Sequence, residues 1–203
     1  MKSVAIIGIG QTAVGEAWER SLRNLAGEAS ATAMHHAGRQ SVDGLFVGNM
    51  LSWLLNRQNN LGAQLADWIG LRQAEAAKLE AACGSGGAAV RSGLMAVASG
   101  ELDSALVVGV EKMTDRNLQE VTSALATAAD ADFESDMGIS FVGLNALIMR
   151  RYMHEYGVTG EQLAWVKVAA SHHAQHNPHA MMREVVTVED VVNSPMIADP
   201  LHR

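Results

Sequence analysis

The chain has one cysteine in 203 residues. A single thiol excludes an internal disulfide framework and fits a reducing compartment, so the cytoplasm is the expected location. Aromatic residues are scarce, at 4%. Alanine and glycine are abundant, and hydrophobic content reaches 48%. That mixture suits closely packed helices and strands rather than a disordered chain. No basic block is present and the net charge is −7, so nucleic acid is not an expected partner. No uncharged apolar run approaches the roughly 18 residues of a membrane span. The opening run, Lys2 to Gly8, is too short and too punctuated by glycine for a signal peptide.

What is present alternates between strand and helix patterns. Val4 to Ile9 is β-branched and apolar, and reads as a buried strand. The turn after it, Gly8-Ile9-Gly10-Gln11-Thr12, lacks the third glycine of a dinucleotide loop, so no nucleotide site is assigned there. Ser21 to Gly38 has small or apolar residues at helical spacing, from Leu22 to Ala37. Gly38 is its stop, and His35 and His36 complement the helix dipole. Val42 to Asn49 is a second strand, Asn60 to Gly70 a second helix, and Lys78 to Ala82 a third strand. A helix then runs to Ala98 and a fourth strand covers Ser104 to Val110. This order predicts a parallel, layered α/β sheet with its ligand crevice at the carboxyl ends of the strands.

From Lys112 to Gly160 the alternation breaks. Thr122 to Asp136 mixes alanine with acids, and Met137 to Tyr156 is helix-like. Glu161 to His176 reads as a further helix, with Thr159 as N-cap three residues before Gln162. His172 and His176 share a helix face, but no cysteine or glutamate accompanies them. They are read as histidines at a helix end, and no metal site is expected.

The stretch Glu80-Ala81-Ala82-Cys83-Gly84-Ser85-Gly86-Gly87 is where strand passes to helix. A thiol there meets orphan N–H groups and the positive end of the helix dipole, both of which favour an anion. The glycines leave the sulfur unshielded. Nucleophilic serines occupy similar strand-turn-helix elbows. A lone cysteine among small residues also suits burial as a small hydrophobe. Spacing alone leaves both readings open.

Glu80 to Arg91 resembles the nucleophile segment of the thiolase family, in its sterol-carrier-protein-type and archaeal acetyl-CoA acetyltransferase branch. Val107 to Thr114, with Glu111-Lys112-Met113, resembles the strand and Glu-x-Met segment that follow that helix. Val185 to Pro200 resembles the end of the family's first half. The resemblance implies a thiolase-like α-β-α fold with an inserted loop domain. Residues 1–111 would form the first part of the core, 112–160 the loop domain, and 161–203 a return to the core that stops before its last strand. It implies that Cys83 takes an acyl group from a coenzyme A thioester, with no permanently bound cofactor. Met137-Gly138 resembles the pair lining the acyl pocket. The family often has histidine before that pair where this chain has Asp136, and Met137 reads equally as a core residue.

The family also uses a histidine in a Gly-His-Pro motif, a second cysteine in a Cys-x-Gly motif, and an asparagine segment. None of these occurs in the 203 residues. The expectation is a half-length or split thiolase, inactive alone. Two other readings stand beside it: a thiolase-fold aldolase or lyase working with a zinc-ribbon and OB-fold partner, and a non-catalytic acyl- or lipid-binding relative. Cys83 weighs against the aldolase group, whose members tend to lack it. By resemblance the chain assembles as a dimer or tetramer, pairing through the strand before Cys83.

Overall fold

The structure is a computed structural model that describes residues 2–203. It comprises two compact units. The first holds the described residues up to Thr12 and Glu16–Ala124; the second holds Ala13–Gly15 and Leu125–Arg203.

In the first unit, α1 (Leu22–His36) precedes β1 (Gly44–Gly48), a single-turn α2 (Ser52–Leu55) and α3 (Leu61–Trp68). β2 (Glu75–Leu79), α4 (Ser85–Ser99) and β3 (Ala105–Gly109) follow, and α5 (Leu118–Ala126) leads out of the unit. The three strands pair in parallel in the order β2-β1-β3. All of β1 is buried, as a central parallel strand covered on both faces requires.

Strand side chains alternate, so the two faces of β1 meet different helices. Leu45 and Val47 join Leu22 and Ala26 of α1 and Leu61, Leu65 and Ala66 of α3 in one buried cluster. On the opposite face Phe46 and Val107 lie against Gly93 of α4. The result is a helix–sheet–helix sandwich, the layered α/β architecture that the alternation predicts. Each fully buried leucine in it contributes about 2 kcal/mol.

Local chemistry sets the ends of the elements. Ser21 caps α1 through a reciprocal pair with Asn24. Gly100, at φ +86°, ends α4 in the left-handed conformation. At the amino ends of β1 and β3 the Asp43 carboxylate accepts the Ser104 hydroxyl at 2.8 Å and its N–H at 2.9 Å. The Ser104 hydroxyl, foremost, holds the Asp43 carboxyl below its ordinary value.

The expected strand at Val4–Ile9 is not formed. Residues 2–12 pair with no strand, and Ile6 is 85% exposed. The backbone lies against a helix instead. A Cβ at Gly8 or Gly10 would collide with the α1 carbonyls of Ala33 and Ala29. The N–H of Ile9 donates to His36 Nδ1 at 3.3 Å, and that of Lys2 to the Ala98 carbonyl at 2.9 Å. The two glycines that suggested a turn are there for close contact between backbones.

In the second unit a π-helical turn, Ala131–Ser135, precedes α6 (Phe141–Tyr156), α7 (Gly160–Ala174) and α8 (Val188–Val192). A short antiparallel pair follows, β4 (Met196–Ala198) with β5 (Leu201–His202). Thr159 caps α7 with Gln162 as its partner, as the sequence predicts. Thr187 caps α8, and its hydroxyl holds the Asp190 carboxyl below the usual range. Buried Ser171 of α7 accepts the Val186 N–H at 3.2 Å and so ties the approach of α8 to α7.

Two outcomes follow. Asp43 is held low, so its contribution is complete above 3.8, the ordinary value, and is lost as pH falls through the lower native value. Asp43→Asn should therefore unfold at lower urea than the native chain near neutrality, with the gap closing as pH falls below that range. Gly48 faces the start of α4, where a Cβ would stand 2.5 Å from the Ser85 carbonyl oxygen. Gly48→Ala should cost about 1–3 kcal/mol in urea unfolding.

Candidate active site

The site is built on the carboxyl ends of the strands in the first unit. β1 is followed at once by Asn49, which is only 1% exposed. Its N–H donates to the Leu79 carbonyl at the end of β2 at 3.1 Å. Its Nδ2 donates to the Val110 carbonyl just past β3 at 2.8 Å, and its Oδ1 accepts the Ser52 N–H at 2.9 Å. One buried amide thus holds all three strand ends and the start of α2. Glu111 adds a second tie, its carboxylate accepting the N–H groups of Met50 and Leu51. Lys78 of β2 reaches the buried Ser52 hydroxyl at 3.2 Å.

From this fixed end the chain leaves β2 and turns. Ala82 has φ +47°, left-handed backbone that non-glycine residues adopt rarely and at a cost. Its N–H donates to the Glu80 carboxylate. Gly84 N–H returns to the Ala81 carbonyl at 2.9 Å, and Ser85 N–H to the Ala82 carbonyl at 3.1 Å. The Ser85 side chain, on a residue 4% exposed, accepts the Ala81 N–H at 3.0 Å and donates to the Ala82 carbonyl at 2.6 Å. Helix α4 begins at that serine.

Cys83 stands at the apex, and it is exposed. Burial as a small hydrophobe, the other reading of a lone cysteine, does not describe it. Gly86 and Gly87, in the first turn of α4, have nothing within 4 Å of where a Cβ would be. The approach to α4 beside the thiol is open. A cleft of about 420 Å³ lies elsewhere, at the amino end of β2, lined by Phe46, Glu75, Arg91 and Leu102.

Met137 and Gly138 belong to the second unit, just after the π-helical turn. Gly138 has φ +83° and its N–H donates to the Ser135 carbonyl at 3.0 Å. Met137 is 69% exposed, so it is not a core residue here. Among the described residues no group of three or more histidines, cysteines or acids is arranged to hold a metal ion.

Sequence reasoning missed Asn49, the partners of Glu111 and the part played by Ser85. Asn49 and Glu111 act on residues about 60 positions away, which no local pattern reveals. Ser85 left a faint signal: a serine in the first turn of a helix often bonds nearby backbone groups.

Comparison with known proteins identifies the family. The family model described as Thiolase, N-terminal domain matches residues 4–202. An acetyl-CoA acetyltransferase of Methanothermobacter thermautotrophicus is 46% identical over 203 residues, 99% of this chain and 52% of that protein. A solved structure of an Ltp2-ChsH2(DUF35) aldolase superposes with a TM-score of 0.69 at 30% identity, covering 98% of this chain and 50% of its own. An acetyl-CoA acetyltransferase from Syntrophomonas wolfei shares the fold, with a TM-score of 0.66 at 19% identity over 83% of this chain and 45% of its own. The chain spans about half the length of the curated relatives it matches. With the family model covering nearly every residue and the layered parallel sheet in place, this chain belongs to the thiolase family.

Proposed function

We propose that the chain carries the acyl-accepting step of a thiolase-type acyl-CoA acyltransferase, with Cys83 as the nucleophile. The observation that carries this reading is the exposed thiol at the apex of a strand-turn-helix held to the sheet. The Cys83 thiolate attacks the carbonyl carbon of an acyl-CoA. The C–S bond to coenzyme A breaks, coenzyme A leaves as its thiolate and takes a proton from water, and the acyl group remains on Cys83 as a thioester. Charge gathers on the thioester oxygen during attack. The Cys83 N–H, at the turn into α4, would donate to that oxygen. Met137 and Gly138 would line the acyl group, on a segment 112–160 acting as a loop domain. Condensation with a second thioester needs a base, and the Gly-His-Pro histidine and second cysteine that the family uses are absent from these 203 residues. A dimer or tetramer formed through β2, a place in lipid metabolism and a cytoplasmic location belong to the same proposal.

A second reading is a thiolase-fold aldolase or lyase acting with a zinc-ribbon and OB-fold partner. It is favoured by the superposition on the Ltp2-ChsH2(DUF35) aldolase. Cys83 favours the first.

The two separate by mass. Exposed to acetyl-CoA near neutral pH, the native chain should gain one acetyl group on Cys83 and release free coenzyme A in equal amount. Cys83→Ala should gain none. No ketoacyl-CoA product should accumulate beyond background. An unmodified Cys83 would reject the acyltransferase reading, and sustained product formation would reject the need for a further base.

A further inference from the structure

The left-handed backbone at Ala82 needs a cause. Alanine gains nothing from φ +47°, and such a conformation persists only where its surroundings impose it. Two side chains do so here. The Glu80 carboxylate accepts the Ala82 N–H, and the Ser85 hydroxyl donates to the Ala82 carbonyl while accepting the Ala81 N–H. Both peptide groups flanking the strained residue are therefore held. Of the two, Glu80 is exposed, whereas Ser85 is buried. Ser85 is further fixed by Gly48, whose missing side chain lets the end of β1 touch the serine's own backbone.

We propose that Ser85 is the positioning residue of Cys83: its hydroxyl bridge imposes the left-handed turn at Ala82 and so fixes where the thiol is presented. The inference rests on Cys83 being the acyl acceptor and adds the residue that aims it. Acyl transfer requires the sulfur and the N–H that receives the oxyanion to be in register, and an error of about 1 Å costs on the order of a hundredfold.

The test uses the 203-residue chain, with two readouts. Carbon chemical shifts of Ala82 report its backbone region directly. Acetylation of Cys83 by acetyl-CoA reports the aim of the thiol. In Ser85→Ala the Ala82 shifts should leave left-handed values and acetylation should slow at least about tenfold. Ser85→Thr, which keeps the hydroxyl, should restore both. Ser85→Ala combined with Ala82→Gly should recover much of the acetylation, because glycine adopts positive φ without help. Ser30→Ala, which removes a buried hydroxyl that bonds only the Ala26 carbonyl within α1, should change neither readout. Left-handed shifts or undiminished acetylation in Ser85→Ala would overturn the proposal, as would an equal loss in Ser30→Ala. If the native chain itself is not acetylated, the acyltransferase reading fails. The shifts of Ala82 in Ser85→Ala then still decide whether Ser85 imposes the turn.

Discussion

The structure depends on one buried amide. Asn49 directly follows the central strand and bonds to the ends of both its neighbours and to the helix turn that follows. A buried polar group is stabilising only when every bond is made, and unmade bonds cost more than made ones gain. Asn49 has its N–H, Nδ2 and Oδ1 all engaged. The strand ends are therefore level and fixed, and the turn bearing Cys83 starts from a rigid edge. Parallel strands bring their carboxyl ends to one side of the sheet, which makes that edge the natural place for chemistry.

Rigidity passes from the edge to the thiol in two short steps. The backbone of α4 touches β1 where Gly48 has no side chain. Ser85, at the head of that helix, then holds Ala81 and Ala82. The turn is made by bonds between side chain and backbone, because its left-handed residue is an alanine. Had the same position been glycine, the backbone would need less support. The chain places a strained residue next to an exposed thiol and surrounds it with acceptors and donors, a pattern found where geometry matters for function.

Much of this was legible in the sequence. The caps at Ser21 and Thr159 follow from short-range chemistry, and both form as read. The buried strand before Asn49 and the helix after Cys83 follow from apolar runs bounded by glycine. The strand between them, expected at Lys78–Ala82, forms earlier, at Glu75–Leu79, because the Ser85 and Glu80 side chains take Ala81 and Ala82 into the turn. Val4–Ile9 misled because an apolar, β-branched run has the same composition whether or not it finds a sheet to join. What decided its course was the contact of Gly8 and Gly10 with α1, a tertiary event. The single turn of α2 was too short to show a period. The partners of Asn49 and Glu111 were invisible for a different reason: they lie far along the chain, and a polar residue after a strand usually faces water. The family resemblance supplied the chemical role proposed for Cys83, which spacing alone left undecided.

The central claim is that the turn bearing Cys83 is part of the folded core rather than a loop attached to it. Native-state hydrogen exchange tests this most directly, since it reports how each amide opens. The amides of Ala81, Gly84 and Ser85 all have acceptors within the turn, and that of Asn49 joins β1 to β2. The account predicts that all four exchange slowly, with the same denaturant dependence as the amides of β1, in one cooperative opening. Rapid exchange at Ala81, Gly84 and Ser85 while β1 stays protected would contradict it, and would make the position of the thiol a matter of loop motion.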